Sequence, residues 1–174
     1  LLAAMQAGDD ATVREVLAIF EEAGFAVAGV AEVAPGLIPA AGVLAGQVSD
    51  ADRADADRAA CIVAALGAVD VGQGAVVARG LCRGVEALPG TDAMLASVAA
   101  MDPALRPAGG VFFKAAKPGQ DRRIDLPTLG PATVEAVARA GLNGIAWAAG
   151  EVICLDLPGM IAAARARGLF LWAR

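Results

Sequence analysis

The chain has 174 residues, of which 57% are hydrophobic, 4% aromatic and 19% charged, and its formal net charge is −5. It contains no His and no Tyr, and Ser49 and Ser97 are its only serines, so a Ser-His-Asp or Cys-His nucleophile system and a zinc site of the usual kind are excluded within it. Acid–base chemistry is left to Asp, Glu, Lys or metal-bound water, and an all-oxygen ligand set favours magnesium or manganese.

The acidic balance, without a basic stripe, argues against a nucleic-acid binder. No apolar stretch reaches the length of a spanning helix without a charge, a proline or several glycines. Cys61, Cys82 and Cys154 are far apart, lack C-x-x-C spacing and sit in apolar surroundings. They read as reduced, buried thiols of a cytoplasmic protein.

Along the chain, Asp9 or Asp10 caps a helix to about Ala23, with Gly24 as its stop. Phe25 to Val30 reads as a buried strand. Residues 34–47 carry prolines and glycines and read as irregular. This opening resembles the tail of an α/β domain, and a boundary near residue 47 divides the chain into 1–47 and 48–174. Asp50 to Ala68 is a helix whose early carboxylates, Asp50, Asp52, Asp55 and Asp57, suit its dipole as a solvated start. Val71 to Ala87 forms a hairpin about Arg79-Gly80. Thr91 or Asp92 caps a short helix to about Ala100, and Ala108 to Ala116 is a strand. Pro131 opens a helix to Ala140. Ile145–Ala148 and Val152–Leu155 read as a second hairpin, across Ala149-Gly150. A helix, Pro158–Arg167, and a strand, Leu169–Trp172, close the chain. Hairpins alternating with helices predict a mixed α/β fold, a mixed sheet with flanking helices, rather than a doubly wound parallel sheet.

The strand from Ala108 delivers the most charged segment, K-A-A-K-P-G-Q-D-R-R-I-D-L-P at 114–127. If it is extended, Asp121, Arg123 and Asp125 face one side and Arg122 the other. Two carboxylates beside a cation can hold a divalent metal while the cation meets a phosphate oxygen. Lys114 and Lys117 add positive charge, and Gln120 can donate and accept hydrogen bonds. This is a kit for phosphoryl transfer to water. From the residues alone it reads equally as a surface loop of mutually paired ions. Glu86, Thr91 and Asp92 around Pro89-Gly90 form a second constellation, readable also as a turn and helix cap. Asp70-Val71-Gly72-Gln73 is a third, in which Gly72 permits close approach of a ligand and Gln73 contacts it. No P-loop signature is present.

Four runs, taken together, carry a resemblance: D-V-G-Q at 70–73, V-E-A-L-P-G-T-D-A-M-L at 85–95, K-x-x-K-P-x-Q-D-x-R-x-D-x-P-x-x-G at 114–130 and G-L-N-G-I-A at 141–146. In order and spacing they resemble the C-terminal part of the LpxI-type UDP-2,3-diacylglucosamine pyrophosphatases of lipid A biosynthesis. The resemblance implies a Rossmann-like N-terminal domain of which 1–47 is the end, and a catalytic domain at 48–174. It implies metal-dependent hydrolysis of UDP-2,3-diacylglucosamine to UMP and 2,3-diacylglucosamine 1-phosphate, with water attacking the phosphorus on the sugar side. On the matching positions, Asp125, Asp121, Lys117 and Arg123 are the expected catalytic residues. Lys114, Gln120, Gln73 and Thr91 are expected to bind substrate, and Asp125, Asp121, Glu86 and Asp92 to hold Mg²⁺ or Mn²⁺. The expected setting is cytoplasmic, with peripheral contact to the inner membrane for a diacylated substrate, the N-terminal domain as partner, room for a homodimer, and no nucleic acid. Another metal-dependent nucleotide-sugar phosphohydrolase, or a non-catalytic domain that grips a phosphate ligand, are the alternatives.

Overall fold

The computed structural model describes residues 9–104, 108–123 and 125–174. Helix α1 spans Asp9–Glu22, and α2, a single turn, spans Val30–Val33. A 3-10 turn at Pro35–Leu37 leads to β1, Gly42–Ala45. Then come α3 (Asp50–Gly67), the hairpin of β2 (Gly74–Ala78) and β3 (Leu81–Val85), α4 (Gly90–Ala99) and β4 (Val111–Lys114). The remainder is β5 (Thr128–Leu129), α5 (Pro131–Arg139), β6 (Gly144–Trp147), β7 (Ile153–Cys154), α6 (Leu157–Arg167) and β8 (Phe170–Ala173).

The main sheet has six strands in the order β1-β8-β6-β4-β2-β3. Its centre is parallel, β8 with β6 and β6 with β4. Both flanks are antiparallel, β1 on β8, and β2 on β4 and β3. The sheet is therefore mixed, with helices on both faces. On one face Ala56, Ala59 and Val63 of α3 meet Ala75, Val77, Val111, Phe113, Ala146 and Phe170. On the other, α4, α5 and α6 bring Met94, Leu95, Val98, Val134, Val137 and Met160 against Val76, Phe112, Ile145, Trp147 and Leu171. Successive strand residues thus serve opposite cores, and two covered faces explain why β2, β4 and β6 read as unbroken apolar runs. Each large side chain taken wholly out of water here contributes about 1.5–3 kcal/mol.

Two expected strands differ. Residues 25–29 are not a strand: Phe25 is exposed and meets Phe20 edge-on, ring centroids 6.1 Å apart. A strand needs a hydrogen-bonding neighbour, and among the described residues this stretch has none. Nor do Ile145–Ala148 and Val152–Leu155 form a hairpin. Both edges of β6 are occupied, by β4 and β8, so β7 pairs instead with β5 as a separate two-stranded parallel unit. The edge strand β1, ahead of residue 47, is hydrogen-bonded into the main sheet through β8.

The carboxylates of α3 are only partly solvated. Asp50 and Asp57 are exposed, but Asp52 and Asp55 are 5% and 6% exposed. Asp52 completes a reciprocal cap with Ser49, its carboxylate accepting the Ser49 N–H at 3.1 Å while the Ser49 hydroxyl accepts the Asp52 N–H at 3.2 Å. It also accepts from the Asn143 amide at 2.7 Å. Asp55 accepts the N–H groups of Arg79 and Gly80, at 3.0 and 2.7 Å, pinning the hairpin turn to the helix. Burial is tolerable because each carboxylate satisfies donors that would otherwise be unpaired. The thiols also depart from expectation. Cys61, on α3, and Cys82, on the edge strand β3, are exposed, and only Cys154 is buried. Burial pushes the Cys154 thiol up to about 12.

Candidate functional site

The loop that follows the carboxyl end of the parallel strand β4 borders an open cleft of about 580 Å³. Ligands in open α/β sheets collect at such ends, because the chain leaves the sheet there as adaptable loops. The cleft is bordered by the loop before β2 (Asp70, Gly72, Gln73), the segment after β3 (Glu86, Leu88, Gly90), and Lys117 and Asp125 from the charged loop. All three short motifs of the sequence therefore meet at one place.

Close approach of backbones makes the meeting possible. A Cβ on Gly72 would overlap the Glu86 carbonyl oxygen and lie 2.7 Å from its carbon. A Cβ on Gly74 would lie 2.6 Å from Glu86 Oε2. Glu86 is held between them by its own N–H, which donates to Gly74 O at 2.8 Å.

Lys114, the last residue of β4, is 6% exposed. Its ammonium donates to the Thr91 hydroxyl at 2.6 Å and meets Glu86 Oε2 at 3.4 Å. The buried cation thus ties β4 to the first turn of α4 and orients Glu86. Lys117, on the cleft, pairs with Asp70 at 2.5 Å. Asp70 stands just beyond α3 with φ 58, a left-handed conformation that Asp tolerates better than most side chains. Its pairing was not foreseen. The signal for it was present in the 70–73 run, where its position at a helix end hid it.

Behind the cleft wall, Gln120 is 8% exposed. It accepts from Gln73 and from the Lys117 N–H, each at 3.0 Å, and donates to Asp125 Oδ2. The loop is not extended. The Asp125 N–H donates to Asp121 O at 3.2 Å and the Arg123 N–H to Asp121 Oδ1 at 3.0 Å, closing a turn. The expectation that Asp121, Arg123 and Asp125 face one side is thereby corrected, because alternation holds only for extended backbone. Asp125 reaches the cleft. Arg123 clasps Asp121 at 2.7 Å and Glu21 of α1 at 2.6 Å, joining the loop to the N-terminal helix. The hydrogen-bonded guanidinium, helped by the Arg123 N–H, holds the Asp121 carboxyl well below the usual range, at about 2. The same pairing, with Glu21, raises Arg123 further. Arg122 is mostly exposed and pairs with Glu151.

The expected site residues therefore divide. Gln73, Glu86, Lys117 and Asp125 line the cleft. Lys114, Thr91 and Gln120 support it from behind. Asp121 and Arg123 turn towards α1. Asp92 lines a separate cavity of about 310 Å³ between α4 and α5. The four carboxylates expected to share a metal are thus in three places. Among the described residues no group of three or more Asp, Glu or Cys side chains comes together to hold a metal ion. The donors that remain on the cleft, Asp125 and Glu86, fit a magnesium-type ion, which takes one or two protein carboxylates and completes its shell with water and substrate phosphates. Among the described residues no helix is long and apolar enough to cross a membrane.

Comparison with known proteins places this cleft in context. Residues 40–172 match the model of the LpxI C-terminal domain. The chain is 46% identical over 177 residues to the UDP-2,3-diacylglucosamine pyrophosphatase LpxI of Caulobacter vibrioides, covering 98% of this chain. It spans 63% of that relative's length.

Proposed function

Since the chain belongs to the LpxI family, we propose that the protein hydrolyses the pyrophosphate bond of UDP-2,3-diacylglucosamine, giving UMP and 2,3-diacylglucosamine 1-phosphate. The observation that carries this reading is the convergence of Gln73, Glu86, Lys117 and Asp125 on one cleft, in a chain so similar to a protein named for that activity. A pyrophosphate calls for positive charge at its oxygens and a carboxylate beside the attacking water, and Lys117 and Asp125 are the cleft residues suited to those parts.

Lys117 faces the bridging region and stabilises the negative charge that gathers on the leaving UMP phosphate. Asp125 orients the attacking water and receives its proton. Gln73 hydrogen-bonds a phosphate oxygen. Glu86, fixed by Lys114 and by Gly74, presents a second carboxylate across the cleft. A divalent cation held by Asp125 and Glu86 would neutralise charge on the phosphates and lower the pKa of a water. An open cleft suits a substrate shared with an N-terminal domain of the kind the resemblance implies. A diacylated substrate in turn calls for peripheral contact with a membrane surface.

The test is release of UMP by the full-length protein from UDP-2,3-diacylglucosamine, followed by mass spectrometry, with UDP-N-acetylglucosamine, which lacks the two long acyl chains, as the comparison. UMP release from the acylated substrate is expected. Its absence, or equal turnover of both, would overturn the assignment. Exhaustive treatment with EDTA should abolish turnover and Mg²⁺ or Mn²⁺ should restore it; undiminished rates would remove the metal from the mechanism.

A further inference from the structure

The position of Gln120 suggests a role different from contact with substrate. It is 8% exposed and stands behind the wall of the cleft rather than in it. Its Oε1 accepts from the backbone N–H of Lys117 and from Nε2 of Gln73, both at 3.0 Å. A backbone N–H can only donate, so the carboxamide oxygen must face it, and the amide orientation follows from chemistry. Nε2 is then obliged to point the other way, where it donates to Asp125 Oδ2. A donor in that place is matched by a carboxyl oxygen of Asp125 that accepts. We propose that Gln120 is the positioning residue for Asp125: it fixes the rotamer of the carboxylate and holds it as an acceptor, and it acts on the reaction only through that group. Gln73 extends the chain, because it both lines the cleft and clamps Gln120. Lys117 belongs to the same unit, since its backbone sets the amide while its side chain faces the cleft.

This inference rests on the hydrolase reading above, and its test keeps the two apart. Gln120→Glu in the full-length protein retains the acceptor for the Lys117 N–H and for Gln73, but replaces the donor facing Asp125 with a second carboxylate. With UDP-2,3-diacylglucosamine, kcat should fall at least about tenfold while KM stays within about twofold. Introduced beside Asp125→Asn, the same change should alter kcat by less than about twofold, because the amide now at 125 can donate to the carboxylate at 120. Gln120→Met, which removes the donor without adding charge, should show the same dependence on Asp125 and serves if the first variant does not fold. Equal fold losses in both backgrounds, an unchanged kcat, or a raised KM with normal kcat would each overturn the proposal, the last by showing direct contact with substrate. An inactive wild type would instead refute the hydrolase reading, and this inference with it.

Discussion

Gly72→Ala should damage both stability and the cleft, by an amount the geometry sets. The new methyl would overlap the Glu86 carbonyl oxygen, lie 2.7 Å from its carbonyl carbon and 3.3 Å from its Cβ. The obstruction is backbone, so it cannot rotate away. Glu86 cannot retreat freely either, since its N–H is bonded to Gly74 O at 2.8 Å and its side chain is packed against Gly74 and Lys114. Overpacking of this kind costs about 1–3 kcal/mol, and losing the Glu86–Gly74 hydrogen bond adds about 1 kcal/mol. A total of about 2–4 kcal/mol in a chain of this size lowers Tm by roughly 5–15 °C. Gly36→Ala is the control, because a Cβ there meets nothing within 4 Å. The assay is thermal unfolding of the three proteins by circular dichroism, with kcat measured beside it. A Tm for Gly72→Ala within about 2 °C of wild type would refute the close approach on which the assembly of the cleft depends.

Asp125→Ala should lower kcat by about a hundredfold or more while lowering Tm by only a few degrees, the cost of leaving the buried Gln120 amide without its acceptor; steady-state kinetics with a parallel melt would show it, and near-normal turnover would remove Asp125 from the chemistry. Asp121→Ala should act on stability instead, by about 1 kcal/mol at neutral pH once solvent screening is allowed for. Its pH dependence has a definite sign: the Asp121 carboxyl is depressed from 3.8 to about 2 in the fold, so its contribution is complete above pH 4 and is lost as pH falls towards 2. Urea midpoints of wild type and variant should therefore differ at pH 7 and converge near pH 2. With a thiol reagent at neutral pH, Cys61 and Cys82 should react in the native protein and Cys154 only on unfolding, as its exposure and raised thiol demand; mass spectrometry of the labelled peptides checks it.

How much of this was legible in the sequence varied with the range of the interaction involved. The helices at 50–67, 131–139 and 157–167 and the hairpin about Arg79-Gly80 carry their own signals, in caps, prolines and turn residues, and they stand where those signals put them. The fate of 145–154 was not legible, because it depends on β8, which arrives later in the chain and occupies the free edge of β6. Phe25–Val30 has the composition of a strand, but strand formation depends on a neighbour that composition does not reveal. The same limit governs the site. The runs that carry the family resemblance contain Gln73, Glu86, Lys117 and Asp125, all of which line one cleft. They could not show that Asp121 and Asp125, in one short loop, have different partners, since that follows from a turn closed by the Asp121 carbonyl and carboxylate.

The division of that loop also explains why it carries so much charge. Arg123 and Asp121 neutralise each other and hold Glu21, an exposed ion network worth little in stability but able to fix where the loop leaves the sheet. Lys114 is the reverse case. It is buried at the end of β4, and its desolvation is tolerable only because Thr91 and Glu86 receive it. One set of charges anchors the loop at its outer side, and the other anchors the α4 turn at its inner side. Asp125 and Lys117 lie between the two anchors. Both line the cleft, Lys117 paired with Asp70 and Asp125 accepting from Gln120, so a charged substrate there would draw on side chains that their present partners already hold in position.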